Sequence, residues 1–205
     1  MASRPIVEFP HPVLKQRCQE VARFDGALWS LLDDMKETMA DADGLGLAAN
    51  QVAVSWRVFT MLVPVPHANG DGRDNDSGKD NDKDQDKDGA PPEVLELVNP
   101  VVVGKRGEIR FEEGCLSFPG VHEQVLRAAE VDVTFQDRHG AAQRRSFGGV
   151  AAVCVQHELD HLDGVTFLER LSPLKRRLAL RSYQRAQLSR QLEAEDDRRA
   201  AARAR

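Results

Sequence analysis

From His67 to Pro92 the sequence is built almost wholly of Asp, Asn, Lys, Gly and Pro, with alanine its only apolar residue. Such a stretch cannot bury enough surface to offset the entropy lost on ordering it, so it is read as a disordered acidic insertion. This reading constrains everything else. A hydrophobic core must be assembled from residues 1–66 and 93–171, which meet in space and not along the chain. Together they have the length of one ordinary domain. A chain of 205 residues leaves no room for two full cores.

The formal net charge of −5 hides two opposed segments. Between Asn69 and Asp88 eight aspartates face only Arg73, Lys79, Lys83 and Lys87, whereas from Glu169 to Arg205 eleven Lys and Arg face five acids. The run Asp84, Asp86, Asp88, Gly89 copies the start of a calcium loop. The bidentate acid such a loop needs at its end is replaced by Leu95, and two prolines intervene, so the run is read as solvated charge. The longest apolar run, Val150 to Val155, is far below the roughly 20 residues of a membrane-spanning helix. The opening MASRPIVEFPHPVLKQ lacks the charged head and apolar stretch of a secretory signal. The expected compartment is the cytoplasm, where Cys18, Cys115 and Cys154 stay as thiols available for metal or chemistry.

Apolar residues at Leu28, Leu31, Leu32, Met35 and Met39 predict a one-sided helix over Ala27 to Ala40, capped near Asp25. Trp56 to Val63, Val94 to Val103 and Val131 to Gln136 read as strands. Asp137 to Gly140 is a hairpin turn, with Gln143 to Phe147 returning. A second helix begins after Phe147, buries Val150, Val153, Leu159 and Leu162, and ends at Gly164. Ser172 and Pro173 open a long basic helix. The expected fold is α+β: a single domain, 1–171, of mixed or antiparallel strands around a central helix, followed by a basic C-terminal helix and tail, 172–205.

The second helix carries His157-Glu158-Leu159-Asp160-His161, an H-E-x-x-H pattern. On a helix this sets two imidazoles on one face with a carboxylate beside the first, an arrangement suited to one metal ion. A catalytic ion also needs a third protein ligand and an open position. Cys154 shares the histidines' face, but the three would lie along a line about 10 Å long, and a line cannot enclose an ion. A ligand from another segment is required, which favours Cys115 in Glu113-Gly114-Cys115-Leu116-Ser117 and leaves Cys154 as a small buried hydrophobe. Such a site performs metal-assisted hydrolysis, with Glu158 moving the proton. Asp160 points to another side of the helix, towards a structural contact.

Gly44-Leu45-Gly46-Leu47-Ala48-Ala49-Asn50-Gln51 lacks the third glycine and the Lys-Ser/Thr of nucleotide loops. Its small residues allow a backbone to lie against a ligand. From the string alone, Gln51 is either an amide donor to an oxyanion or a surface residue on a tight turn.

Taken in order, GLGLAANQ, EGCLS and QHELDH resemble the three signature motifs of the peptide deformylases. The flanks HPVLKQRCQEV, LVNP and HLDGVTFLERLS are also similar, so the resemblance covers about 1–66 and 93–173. It implies that Cys115, His157 and His161 bind one divalent ion, Fe²⁺ or Zn²⁺, and that Glu158 is the catalytic acid/base. The developing oxyanion then falls to the Gln51 side chain and the Leu116 backbone N–H. The implied substrate is the N-formyl-methionyl end of a new polypeptide. Leu45, Gly46, Val150, Val153 and Cys154 would line or adjoin the methionine pocket, and Gly46 and Gly120 would pair with the peptide backbone. One departure stands out: His122 occupies a place where many relatives have arginine. Lone histidines such as His122, His11, His67 and His139 are usually solvent-exposed.

Two rival readings exist. A zinc endopeptidase shares H-E-x-x-H but takes its third ligand downstream, where Glu169 is the one candidate far enough from His161. An inactive relative retained to bind the ribosome would use Arg176, Arg177, Arg181 and Arg185 of the basic helix. With Tyr183 the only aromatic there, base stacking is not expected, and neither DNA nor a membrane is an expected partner.

Overall fold

The computed structural model describes residues 2–63 and 93–203; the acidic stretch, with its run from Asp84 to Gly89, lies outside them. Helix α1 spans Gly26–Asp41, and the Asp25 carboxylate caps it by accepting the Ala27 N–H at 3.1 Å. Its five periodic apolar residues are all buried.

The strands, in chain order, are β1 (Gly46–Ala48), β2 (Val58–Val63), β3 (Glu93–Arg106), β4 (Ile109–Glu113), β5 (Glu123–Arg127), β6 (Glu130–Gln136) and β7 (Ala142–Gly148). Helix α2 follows at Gly149–Leu162 and α3 at Pro173–Arg203. The main sheet has the order β1-β2-β3-β6-β7, antiparallel throughout, and β4 and β5 form a separate hairpin. Val63, the last residue of β2, lies opposite Glu93, the first of β3.

Strand β2 is buried almost throughout because helices cover both faces of the sheet. Phe59, Met61 and Val63 pack with Val155, Leu159 and Leu162 of α2. Val58, on the alternate face, packs with Leu28, Leu32 and Met35 of α1. At a bulge in β3, Asn99 takes φ +51°. Its side chain accepts the Val21 N–H at 2.8 Å and donates to the Val21 carbonyl at 2.9 Å, pinning the N-terminal segment to the sheet.

A third apolar cluster joins Phe118, Val125 and Phe167 to Ala179 and Tyr183 of α3. The Tyr183 hydroxyl donates to the Phe9 carbonyl at 2.7 Å. After α2, Gly164 takes φ +72°, and a Cβ there would sit 2.7 Å from the Lys15 carbonyl oxygen, so only glycine fits this exit. The predicted helices and strands are present with ends shifted by a few residues. One expectation fails: Val150 is 41% exposed, because it borders an open cavity while its neighbours Ala151 and Ala152 pack on the sheet. Among the described residues no helix is long and apolar enough to cross a membrane.

Candidate functional site

Two segments converge on the middle of α2, where every residue from Ala152 to Leu162 is buried. The loop after β4 brings Cys115, and the turn Ala49–Val52 after β1 brings Gln51. The ligand atoms of Cys115, His157 and His161 all lie within 4.8 Å of one another. Cys115 Sγ stands 3.1 Å from His161 Nε2. One thiol and two imidazoles closing on a point fit a divalent first-row metal ion.

The imidazoles are held differently. His157 Nδ1 lies 2.8 Å from Glu113 Oε2; with its proton donated there, Nε2 keeps a free lone pair. Burial opposes charge on both rings. It prevails at His161, held well below the usual histidine range with His157 adding to the effect. At His157 the contacts to Cys115 and Glu113 outweigh burial and raise the ring well above that range. Burial opposes ionisation of Glu113 too, yet the Arg127 fork and His157 hold its carboxyl down at about 2.

Glu158 is 3% exposed, and its Oε2 has no hydrogen-bond partner. Burial pushes its carboxyl up to about 7. The group packs so tightly against Gly46 that a Cβ there would lie 2.5 Å from Oε1. Gln51 is 2% exposed. Its Oε1 accepts the Ala48 N–H at 2.8 Å, which turns Nε2 towards Cys115 Sγ, 3.6 Å away, and Ser117 Oγ, 3.3 Å away. These groups face a cavity of about 610 Å³ bordered by Leu116 and by all six residues expected to bind substrate, Leu45, Gly46, Gly120, Val150, Val153 and Cys154. Burial holds the Cys154 thiol protonated, in keeping with an inert apolar role.

A family model described as polypeptide deformylase matches residues 3–177. The chain belongs to the peptide deformylase family. It is 39% identical over 187 residues to the peptide deformylase of Wolinella succinogenes, covering 90% of this chain and 99% of that one. Among solved structures, a peptide deformylase from Legionella pneumophila superposes with TM-score 0.75 at 37% identity, covering 94% of this chain and 98% of that one. A deformylase from Acinetobacter baumannii with Met-Ala-Ser bound gives TM-score 0.68 at 30% identity, covering 83% of this chain and 99% of that one.

In this deformylase the surface reading of Gln51 fails, since the turn carries its amide inward. The endopeptidase reading loses its third ligand: Glu169 Oε2 is engaged by Lys15 Nζ at 2.6 Å and the Thr166 N–H at 2.8 Å. His122 is exposed on the cavity rim, and His11 and His139 are also exposed; His67 lies outside the described residues. Asp160 makes the structural contacts expected of it, to Arg127 and Arg170. Glu113, Ser117 and Arg127 were missed as parts of the site. Glu113 was visible in the second motif, and the alternation Val125, Arg127 put an arginine on the inward face of a strand.

Proposed function

We propose that Cys115, His157 and His161 hold one Fe²⁺ or Zn²⁺, and that the centre hydrolyses the formyl amide of N-formyl-methionyl polypeptides, releasing formate. The observation that carries this reading is the three-ligand cluster with Glu158 buried beside it and the Gln51 amide aimed at it. When bound, the ion supplies a Lewis acid and an acidified water.

The chain does the rest. A carboxyl raised to about 7 exchanges protons near neutrality, so Glu158 takes the proton of the attacking water and delivers it to the leaving amine. Gln51 Nε2 and the Leu116 backbone N–H donate to the developing oxyanion. Val153, Cys154, Leu45 and Val150 border the methionine side chain. The Gly46 and Gly120 backbones hold the extended peptide. Formyl is the smallest acyl group, and a crowded centre admits it while excluding bulkier amides. The bound Met-Ala-Ser of the Acinetobacter relative is the peptide such a reaction would leave, which supports this substrate class.

The test is formate release from formyl-Met-Ala-Ser, with metal content measured on anaerobically purified protein. Formate from the wild type and none from Glu158→Ala is expected; cleavage of an internal peptide bond without formate overturns the reading.

The division into a catalytic body, 1–171, and a basic helix, 172–205, belongs to this proposal, as does action in the cytoplasm on chains emerging from the ribosome. Arg177, Arg181 and Arg185 are exposed along α3 with no carboxylate partner among the described residues, which supports contact with ribosomal RNA phosphates. Reversing their charges together with Arg176 should abolish co-pelleting with ribosomes; unchanged pelleting removes the idea.

A further inference from the structure

Behind the metal ligands a second set of charges runs from the interior to solvent. Arg127 grips Glu113 with a two-pronged fork, Nε to Oε1 at 2.7 Å and Nη2 to Oε2 at 2.9 Å. Its remaining arm, Nη1, donates to Asp160 Oδ2 at 2.6 Å. Asp160 is in turn held by Arg170, whose Nε donates to Oδ2 at 2.9 Å and whose Nη2 donates to Oδ1. The signs alternate from Arg170 through Asp160 and Arg127 to Glu113, and the series ends on His157 Nδ1. The side chains of Glu113 and Arg127 are 3% and 4% exposed, whereas Arg170 is 48% exposed at the mouth of a separate cavity on the rear of α2.

We propose that Arg127 and Arg170 are positioning residues for the metal ligand His157, acting through Glu113 and Asp160. The inference rests on the metal-centre reading above. Glu113 Oε2 is shared between Arg127 Nη2 and His157 Nδ1, so the direction of its lone pairs fixes the ring's tautomer and tilt. Asp160 likewise divides its carboxylate between two guanidiniums. Removing Arg170 frees that carboxylate to take Arg127 with both oxygens. The guanidinium is then drawn off Glu113, and the imidazole loses its fixed seat without any change in the ligands themselves. Arg170 lies nine residues beyond His161 in sequence and touches neither the ligand cluster nor the cavity in front of it.

The experiment uses the full-length protein loaded with Zn²⁺ and challenged with an excess of chelator. The rate of zinc release and the kcat and KM for formate release from formyl-Met-Ala-Ser are followed in parallel. Arg127→Gln should release zinc about 10- to 100-fold faster. Arg170→Ala, at a half-exposed position that folding tolerates, should release it several-fold faster, with kcat lowered and KM little changed. Arg170→Lys should recover most of the loss. In the zinc-loaded protein, the ring ¹⁵N shifts of His157 should report one Nδ1–H form held on Glu113, which shifts and broadens in Arg170→Ala. Zinc release and ring shifts both unaltered in Arg170→Ala overturn the proposal, as does a loss in Arg170→Ala that Arg170→Lys does not recover. If the wild type binds zinc but releases no formate, the hydrolase reading falls, while the release rates and ring shifts still decide this one.

Discussion

The two faces of α2 are equally buried and treat their polar groups in opposite ways. On the rear face each charge is matched: Asp160 takes two arginines, and Gln156 closes on Ala128 with a 3.0 Å bond from its N–H and a 2.9 Å bond to its carbonyl. On the front face Glu158 Oε2 and His161 Nδ1 have no hydrogen-bond partner among the described residues. A buried polar atom without a partner costs free energy, so the front face is held in place by stability generated elsewhere. The lesson is that burial alone does not mark a catalytic residue; burial with unmet hydrogen-bonding capacity does so here because it falls beside the ligand cluster.

The largest effect should come from the front face. Glu158→Ala should lower kcat for formate release by about 10²- to 10⁴-fold while keeping the metal and a melting temperature at or above that of the wild type. A large loss of stability would erase the contrast between the faces. Cys115→Ala should lose the ion as well as activity, measured by elemental analysis, and a full complement of metal in that variant would show the ligand set to be wrong.

On the rear face the order reverses. Arg127→Met should destabilise the protein by about 3–5 kcal/mol in urea unfolding, because it strands Glu113 and Asp160 as buried charges. Gly46→Ala tests the boundary between the faces. The added methyl meets the Glu158 carboxylate and should cost about 1–3 kcal/mol of stability along with most of the activity.

The smallest effect is a proton linkage. The His157 ring, raised in the metal-free protein, must give up a proton to serve as a ligand. Zinc affinity should therefore rise with pH while the free protein still carries that proton and level off once it is lost. Calorimetry in buffers of different ionisation enthalpy should detect the proton released on binding.

How much of this the sequence discloses depends on the range of the interaction. The ligand-bearing helix, its glycine exit and the Asp25 cap follow from spacings of a few residues, and all are read correctly. The shape of a helix argues against Cys154 and favours Cys115, and the family resemblance assigns it. The β4–β5 hairpin is missed because Ile109–Glu113 and Glu123–Arg127 are only five residues each, mostly charged or polar, and owe their pairing to each other. Arg127 is missed because its partners lie 14 and 33 residues away: the alternation with Val125 turns it inward without saying what it meets. Val150 is misjudged because a helical wheel shows which residues are apolar and not whether they meet the core or an open cavity.

The pairing of Val63 with Glu93 makes the junction between β2 and β3 a seam in the architecture. A polypeptide leaving at one rung comes back at the adjacent rung, so whatever is carried between them can grow at about 0.6 kcal/mol per doubling of its length. The position is thus a ready splice point, where a fluorescent or affinity module with closely spaced termini could be grafted without touching a ligand-bearing segment.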